Sequence, residues 1–259
     1  MRWSRNTSTR QIVSRERCKT RDPELVSGSG TGTRADFAVA TYNIRHGAPP
    51  GRSYRRRELL NSVRDLDVDL LALQEVDLHA GRTRFANQAR VIAGATGMSA
   101  HFARARPEGR FGQYGVALLT RFPVLAQRVV SLPAQGFERR VALLATVVSP
   151  VGEVLVCATH LQHHQSNAEV QLEYVLRLLG RFDGPQLLVG DLNLGPEVVE
   201  PQLDLHGFGW AAGEPTFPTR AARRRIDWIA AKGLSFSHTT VPRVWGSDHF
   251  PLRSDVRKA

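Results

Sequence analysis

The sequence predicts an α/β domain in which β-sheets pack against each other with helices on the outside. From Phe37 onward, short apolar runs of strand length alternate with amphipathic helical segments. The strand-like runs outnumber the helical ones, which favours sheets packed together over one sheet between helices. The chain has 259 residues, of which 42% are hydrophobic. From Phe37 onward, neither a linker nor an internal repeat divides it. We therefore predict a single domain over residues 36–259.

Eight runs of apolar and β-branched residues have the length and pattern of strands. They lie at residues 37–44, 69–75, 115–120, 140–148, 153–160, 186–190, 226–231 and 252–256. The clearest helix follows the fifth run. Ser166 and Glu169 have the spacing of a capping box, an apolar face continues for four turns, and Gly180 marks the end. Residues 54–66 and 85–97 are further amphipathic segments that predict helices.

Residues 1–35 differ from the rest of the chain because they lack periodicity and end in a Gly/Ser/Thr-rich linker at 27–33. We expect a disordered basic tail here. Seven Arg and Lys19 against three acidic residues give the tail a net charge of +5, so the remaining residues carry +6 of the total +11. Nearly half of the excess that suggests a nucleic-acid partner therefore lies outside the predicted domain.

Composition also restricts the class of protein and its compartment. Cys18 and Cys157 cannot form a disulfide framework, which favours a reducing compartment. The longest apolar run, 141–148, is far shorter than a membrane-spanning helix, and the N-terminal stretch lacks the apolar core of a signal peptide. We expect a cytoplasmic monomer without a membrane anchor.

Acidic, amide and histidine side chains stand at the ends of six apolar runs, where burial is costly unless they are paired or bind a metal. These residues are Asn43, Glu75, His160, Asp191, Asn193, Asp227, Asp248 and His249. A shared metal and phosphate site explains them together. Carboxylate and amide oxygens suit Mg²⁺ or Mn²⁺, and the remaining groups can activate water and bind phosphoryl oxygens. Zinc is less favoured because the chain lacks a Cys or His cluster of the usual spacing.

The short motifs that contain these residues resemble, in their order along residues 37–256, those of the endonuclease/exonuclease/phosphatase superfamily. They are Tyr-Asn-Ile-Arg-His-Gly at 42–47, Leu-Gln-Glu-Val at 73–76, Tyr-Gly at 114–115, Thr-His-Leu at 159–161, Gly-Asp-Leu-Asn at 190–193, Arg-Ile-Asp-Trp-Ile at 225–229 and Ser-Asp-His-Phe-Pro-Leu at 247–252. The resemblance implies a four-layer α/β/β/α sandwich, with two face-to-face mixed β-sheets flanked by helices and the catalytic groups at one end.

The resemblance also implies roles for the metal site and for water activation. Glu75 would be the main metal carboxylate, with Asn43 beside it and Asp248 as a further ligand. Asp191 would position or deprotonate the attacking water, and Asn193 would donate to a phosphoryl oxygen.

Two histidines complete the implied catalytic set. His249, oriented by Asp227, would act as general base or as a charged donor to the phosphate, and the sequence leaves open whether it or Asp191 activates water. His160 would donate to the phosphate or protonate the leaving oxygen. Further substrate contacts are predicted at four residues, namely Tyr114, Arg45, His46 and Arg223.

The sequence thus predicts a metal-dependent phosphoric ester hydrolase, with a phosphodiesterase as the leading interpretation. Three alternatives stay open: a nuclease acting on DNA or RNA, a phosphomonoesterase for a small phosphorylated metabolite, and a non-catalytic nucleic-acid-binding protein on the same fold. Arginine runs after four motif-bearing strands favour an anionic substrate larger than one phosphate, with nucleic acid among the candidates.

Overall fold

Two six-stranded sheets form the centre of the molecule in a computed structural model that describes residues 37–133 and 138–259. The first sheet has the order β11-β12-β1-β2-β4-β3 and the second β5-β6-β7-β8-β10-β9. In the first sheet, the strands are β1 (Phe37–Asn43), β2 (Leu70–Leu78), β3 (Ser99–Glu108), β4 (Gly112–Thr120), β11 (Leu234–Thr240) and β12 (Leu252–Lys258). In the second they are β5 (Val124–Ser131), β6 (Val141–Ser149), β7 (Gly152–His160), β8 (Gln186–Asp191), β9 (Gly209–Trp210) and β10 (Asp227–Lys232).

Helices cover the outer face of each sheet. They are α1 (Arg56–Arg64) and α2 (Gln88–Thr96) on the first sheet, and α3 (Gln165–Leu179) and α4 (Pro196–Leu205) on the second. One apolar cluster fills the space between the sheets, where Val39 and Leu118 of the first meet Val156 and Val189 of the second. The predicted four-layer α/β/β/α sandwich is therefore confirmed. The predicted disordered tail and Cys18 lie outside the described residues.

The eight predicted strands are all present, with ends that shift by up to three residues. Four further strands, β3, β5, β9 and β11, were not predicted, and each lies at an edge of its sheet. An edge strand buries less of its surface than a central one, so its apolar pattern is weak. In β5, for example, six of eight residues are exposed. Helix α4 was also missed in the sequence.

The predicted capping box at the start of α3 is wrong. The helix begins one residue earlier, at Gln165, after His164, and no side chain caps its first turn. Ser166 is thus already inside the helix, where its hydroxyl is past the capping position. Glu169 instead accepts a hydrogen bond of 2.8 Å from the Gln165 side chain. The helix does end before Gly180, as predicted.

The strand directions bring the polar strand ends to one end of the sandwich. β1 runs parallel to β2, and β7 runs parallel to β8, so each pair presents its last residues at the same edge. β10 runs antiparallel to β8 and pairs Asp227 with Asp191 at its start. In the described part of the chain, no helix is long and apolar enough to span a membrane.

Candidate active site

Asn43, Glu75 and Asp191 meet where the two sheets come together. The Asn43 Nδ2 amide donates to Asp191 Oδ2 at 2.9 Å and to Glu75 Oε1 at 3.1 Å. Asn43 and Glu75 belong to the first sheet, whereas Asp191 ends a strand of the second. One buried amide therefore joins the carboxylates of both sheets.

Glu75 is held in an unusual backbone conformation within β2. The register with β4 shifts between Leu73 and Val76, and Glu75 in that bulge has a φ of 58°. A positive φ is costly for a residue with a side chain and is found where the surrounding structure imposes it. The bulge turns the carboxylate toward the site. Burial raises the pKa of Glu75, and the nearby Asp248 charge raises it further, although the Asn43 hydrogen bond opposes this shift.

Asp227 and His249 form a buried pair. His249 Nδ1 lies 2.9 Å from Asp227 Oδ2, which also accepts a hydrogen bond from the Thr216 hydroxyl. Burial alone would lower the pKa of His249, but the charges of Asp227, Asp191 and Asp248 raise it to about 10. His249 is therefore cationic at neutral pH, and its Nε2 lies 3.8 Å from Asp191 Oδ2.

His160 has the opposite environment on the other side of Asp191. Its Nδ1 lies 2.9 Å from Nη1 of Arg140, and its Nε2 lies 3.5 Å from Asp191 Oδ2. Burial lowers the pKa of His160 well below its usual value, and the Arg140 charge lowers it further. His160 is therefore neutral at neutral pH.

Asp191 is the centre of this arrangement. Its Oδ1 accepts the backbone N–H of Asn193 at 2.9 Å. Burial raises the pKa of Asp191 to about 7, and the charge of Asp227 contributes to this shift. Asn193 is itself held at a φ of 55° and donates one side-chain N–H to the Leu161 carbonyl at 3.0 Å. The second N–H of that amide is left for another acceptor.

The predicted substrate contacts occupy two sides of the site. Tyr114 is buried beneath Arg106, whose guanidinium carbon lies 4.3 Å from the ring centroid. Arg45 forms an ion pair of 3.3 Å with Asp248. Burial, with help from the charge of Arg82, lowers the pKa of His46 to about 4, so this residue is a neutral group at the rim. Arg223 lies on the opposite side, in a pocket that includes Asn193.

The donor set fits a hard divalent cation. Glu75 and Asp248 supply carboxylate oxygens, and Asn43 Oδ1, which accepts one hydrogen bond from the Arg45 backbone, retains a second lone pair. Burial and the nearby Asp248 charge raise the pKa of Glu75, and a cation bound there would offset both effects. A second candidate group comprises Asp191, Asp227 and His249, with ligand atoms within 4.8 Å of one another. There, however, His249 Nδ1 and Asp227 Oδ2 already bind each other.

Sequence reasoning missed Arg140 and Thr216. Arg140 directly precedes the apolar strand β6 and is only 5% exposed. It carries the same signal as the other site residues, a polar side chain adjoining an apolar run, but with a basic group in place of an acidic, amide or histidine one. Thr216 carries no comparable signal because threonine is common in turns and strands alike.

The chain is similar to known proteins over most of its length. The family model described as "Endonuclease/Exonuclease/phosphatase family" matches residues 40–249. The uncharacterised protein YbhP of Escherichia coli K12 is 30% identical over 247 residues, covering 85% of this chain and 96% of that protein.

Two solved structures illustrate the shared fold. An endonuclease/exonuclease/phosphatase from Beutenbergia cavernae superposes with a TM-score of 0.74 at 21% identity, covering 87% of this chain and 72% of that one. A mannosyl-6-phosphatase from Bacteroides thetaiotaomicron superposes with a TM-score of 0.65 at 15% identity, covering 85% of this chain and 99% of that one. At these identities the likeness concerns the fold alone.

Proposed function

This chain belongs to the endonuclease/exonuclease/phosphatase family, and on that premise we propose that it is a divalent-metal-dependent phosphodiesterase. It would cleave a P–O bond by in-line attack of an activated water. The observation that carries the proposal is the position of Asp191, which lies between a cationic histidine and a neutral one and is joined through Asn43 to Glu75. A module that only binds nucleic acid has no need of such an arrangement.

Asp191 is the group that best suits removal of a proton from water. A general base works best when its pKa is near the working pH, and the pKa of Asp191 is raised to about 7. His249 is already protonated at neutral pH because its pKa is raised to about 10. We therefore assign His249 to charge stabilisation of phosphoryl oxygens, with Asp227 holding the ring in place.

The metal would lie at Glu75, with Asn43 and Asp248 beside it. A bound Mg²⁺ or Mn²⁺ would polarise the phosphoryl group and offset the negative charge that develops on its oxygens. Around it, the remaining amide N–H of Asn193 and the Nε2 group of His160 can donate to the same oxygens. Arg45 would orient Asp248 through their ion pair.

Two basic pockets on opposite sides of the site favour a diester with further anionic groups over a small monoester. The first, of about 330 Å³, extends from Asn193 to Arg223 and Arg224. The second, of about 420 Å³, is lined by four arginines and Tyr54 near the loop that follows Asn43. These four are Arg55, Arg56, Arg57 and Arg84. Arg225 also lines the first pocket and forms an ion pair with Glu200, but in the described part of the chain none of the other six arginines of these pockets forms one. A nucleic-acid strand, with phosphates on both sides of the cleaved bond, satisfies both pockets.

Hydrolysis of bis-p-nitrophenyl phosphate with added Mg²⁺ or Mn²⁺ tests the proposal. We expect metal-dependent turnover that exceeds turnover of the monoester p-nitrophenyl phosphate, and a loss of at least about 10³-fold in the D191A/H249A double variant. The exposed Asp204 lies on α4, and D204A is the matched control that should retain wild-type rates. Equal and negligible turnover by the wild type and the double variant would contradict the proposal that the protein is an enzyme. Faster hydrolysis of the monoester than of the diester would favour a phosphomonoesterase.

Identification of the natural substrate then requires hydrolysis assays with single- and double-stranded DNA, RNA, sphingomyelin, inositol phosphates and sugar phosphates. We expect preference for the nucleic acids because they extend past both sides of the cleaved group. Preference for a sugar phosphate would contradict the role assigned to the two pockets, while leaving the hydrolytic centre in place.

A further inference from the structure

Arg140 is a buried arginine without an assigned role in the proposed reaction. It is 5% exposed and lies directly before β6, between the neutral histidine of the site and an acidic residue of the preceding loop. Its Nη1 lies 2.9 Å from His160 Nδ1, and its Nη2 lies 3.4 Å from Glu138 Oε2. The guanidinium therefore contacts the catalytic histidine from the side that faces away from Asp191.

The chemistry of a guanidinium determines the direction of this hydrogen bond. Arginine has only N–H donors and stays charged in proteins, so it cannot accept a proton or a hydrogen bond. His160 Nδ1 must then be the acceptor, which leaves the ring proton on Nε2. We propose that Arg140 is a positioning residue that holds His160 as the neutral tautomer with its proton on Nε2. The proposal rests on the proposed phosphodiesterase for its catalytic meaning, but the tautomer itself does not depend on that function.

The tautomer restricts what His160 can do. Its Nε2 is the atom that faces Asp191, at 3.5 Å from Oδ2, so an N–H group points into the site. A neutral imidazole can donate this hydrogen bond to a phosphoryl oxygen, but transfer of its single proton to a leaving group would leave a buried imidazolate anion, which is strongly disfavoured. Of the two roles implied by the family resemblance, Arg140 therefore selects hydrogen-bond donation and excludes protonation of the leaving oxygen.

The contrast with the second histidine supports this assignment. His249 has the carboxylate of Asp227 at its Nδ1, at 2.9 Å, and a carboxylate accepts where a guanidinium donates. The same ring position therefore carries a hydrogen in His249 and a lone pair in His160. The orienting partner of each ring, and not its distance from Asp191, makes the two histidines different.

Glu138 and Arg106 hold Arg140 in place. Glu138 forms an ion pair with Arg140 through one oxygen and accepts a hydrogen bond from Nε of Arg106 on the other. Arg106 in turn stacks on the ring of Tyr114. This chain of contacts runs from β3 and β4 of the first sheet to His160 of the second, so the orientation of His160 depends on both sheets.

Nitrogen NMR of the full chain with ¹⁵N-labelled histidine tests the tautomer without any substrate. We expect His160, assigned by the signals that disappear in H160Q, to show a protonated Nε2 and an unprotonated Nδ1 at neutral pH. In R140M the Nδ1 acceptor loses its donor, so a second tautomer or a doubly protonated ring should appear. The neighbouring Arg139 is exposed, and R139M is the matched control that should leave the His160 signals unchanged. A proton on Nδ1 in the wild type, or the same signals in R140M and the wild type, would overturn the proposal.

A second measurement uses substitutions at His160 itself, in case R140M does not fold. Glutamine can present an N–H group at a reach similar to Nε2 of histidine but cannot act as a proton donor. We therefore expect kcat to fall about 10²-fold or more in H160A, because one hydrogen-bond donor to a developing charge is lost. The fall of kcat in H160Q should be at least about tenfold smaller than the fall in H160A. Equal losses in H160A and H160Q would contradict donation. If neither variant nor the wild type hydrolyses phosphodiesters, the proposed function fails while the NMR result still decides the tautomer.

Discussion

The chemistry of single residues in this site depends on what each one contacts. Asp191 accepts from Asn43 on one oxygen and from the backbone of Asn193 on the other, and it has a histidine on each side. Burial, together with the Arg140 charge, lowers the pKa of the first histidine, whereas the charges of Asp227, Asp191 and Asp248 raise the pKa of the second. Identical side chains in the sequence thus have different protonation states in the structure.

The raised pKa of His249 predicts how stability depends on pH in protein freed of metal with a chelator. Folding raises this pKa from 6.5 to about 10, so the histidine binds its proton more tightly in the folded state. Its contribution to the free energy of unfolding is fully present below pH 6.5 and is lost as the pH rises through about 10. Within that window the loss approaches about 1.4 kcal/mol per pH unit for one group.

The D227N variant supplies the comparison for this prediction. Asparagine removes the charge that raises the pKa of His249, so we expect a shallower decline of the unfolding free energy over the same pH range. Urea denaturation of the two metal-free proteins at several pH values would measure both slopes. Identical slopes would mean that His249 does not gain its proton affinity from Asp227.

At the scale of elements, close approach of strands places the site residues. A Cβ atom on Gly190 of β8 would lie 2.1 Å from the Thr159 carbonyl oxygen of β7, so only glycine allows the two strands to pair here. Gly190 directly precedes Asp191, and Thr159 directly precedes His160. The missing side chain therefore sets the separation of these two catalytic groups, and the β2 bulge does the same for Glu75.

We expect G190A to destabilise the protein by roughly 1–3 kcal/mol, as overpacking does, and to lower kcat as well. The control is G94A on α2, where a Cβ would meet nothing within 4 Å. This exposed helical position should gain roughly 0.5–1 kcal/mol, because alanine restricts the unfolded chain. Thermal unfolding and bis-p-nitrophenyl phosphate turnover would be measured for both variants. Wild-type stability of G190A would show that the strands can separate without cost.

At the scale of the whole molecule, the distribution of positive charge matters more than its total. The net charge of +11 includes +5 from residues 1–35. Within the described part of the sandwich, six arginines without acidic partners line pockets on both sides of the site, whereas others away from these pockets, such as Arg253 with Asp255, form ion pairs. A polyanion would therefore bind across the end of the sandwich that carries the catalytic groups.

The R223Q/R224Q double variant tests this charge arrangement. If the two arginines contact phosphates, the slope of log affinity for single-stranded DNA against log salt should fall by roughly 1–2, because about 0.7 counterions are released for each contact. The control double variant R128Q/R181Q removes the same charge from β5 and from the segment preceding β8, both outside the two pockets. An equal change in both variants would mean that binding depends only on total charge.

Strands in the centre of each sheet could be predicted from the sequence, whereas strands at the edges could not. All eight central strands were predicted: seven are mostly buried and contain apolar runs, and β12 alternates buried residues with half-buried polar ones. The four edge strands were missed because one side of each is open and its residues are more polar. Prediction of the α3 cap failed because Ser166 fits the capping pattern but lies two residues after His164, which occupies the capping position.

By itself, the sequence determined the family, the layered α/β architecture and which polar residues belong at the strand ends. These follow from apolar periodicity and ordered motifs, which are local properties of the chain. Only the tertiary structure decided which group touches which: Asn43 with Asp191 across the sheets, and Arg140 with one histidine while Asp227 holds the other. Protonation depends on burial and on charges a few ångströms away, and these neighbours lie 20 to 148 positions apart in the chain. No local pattern in the sequence encodes such contacts.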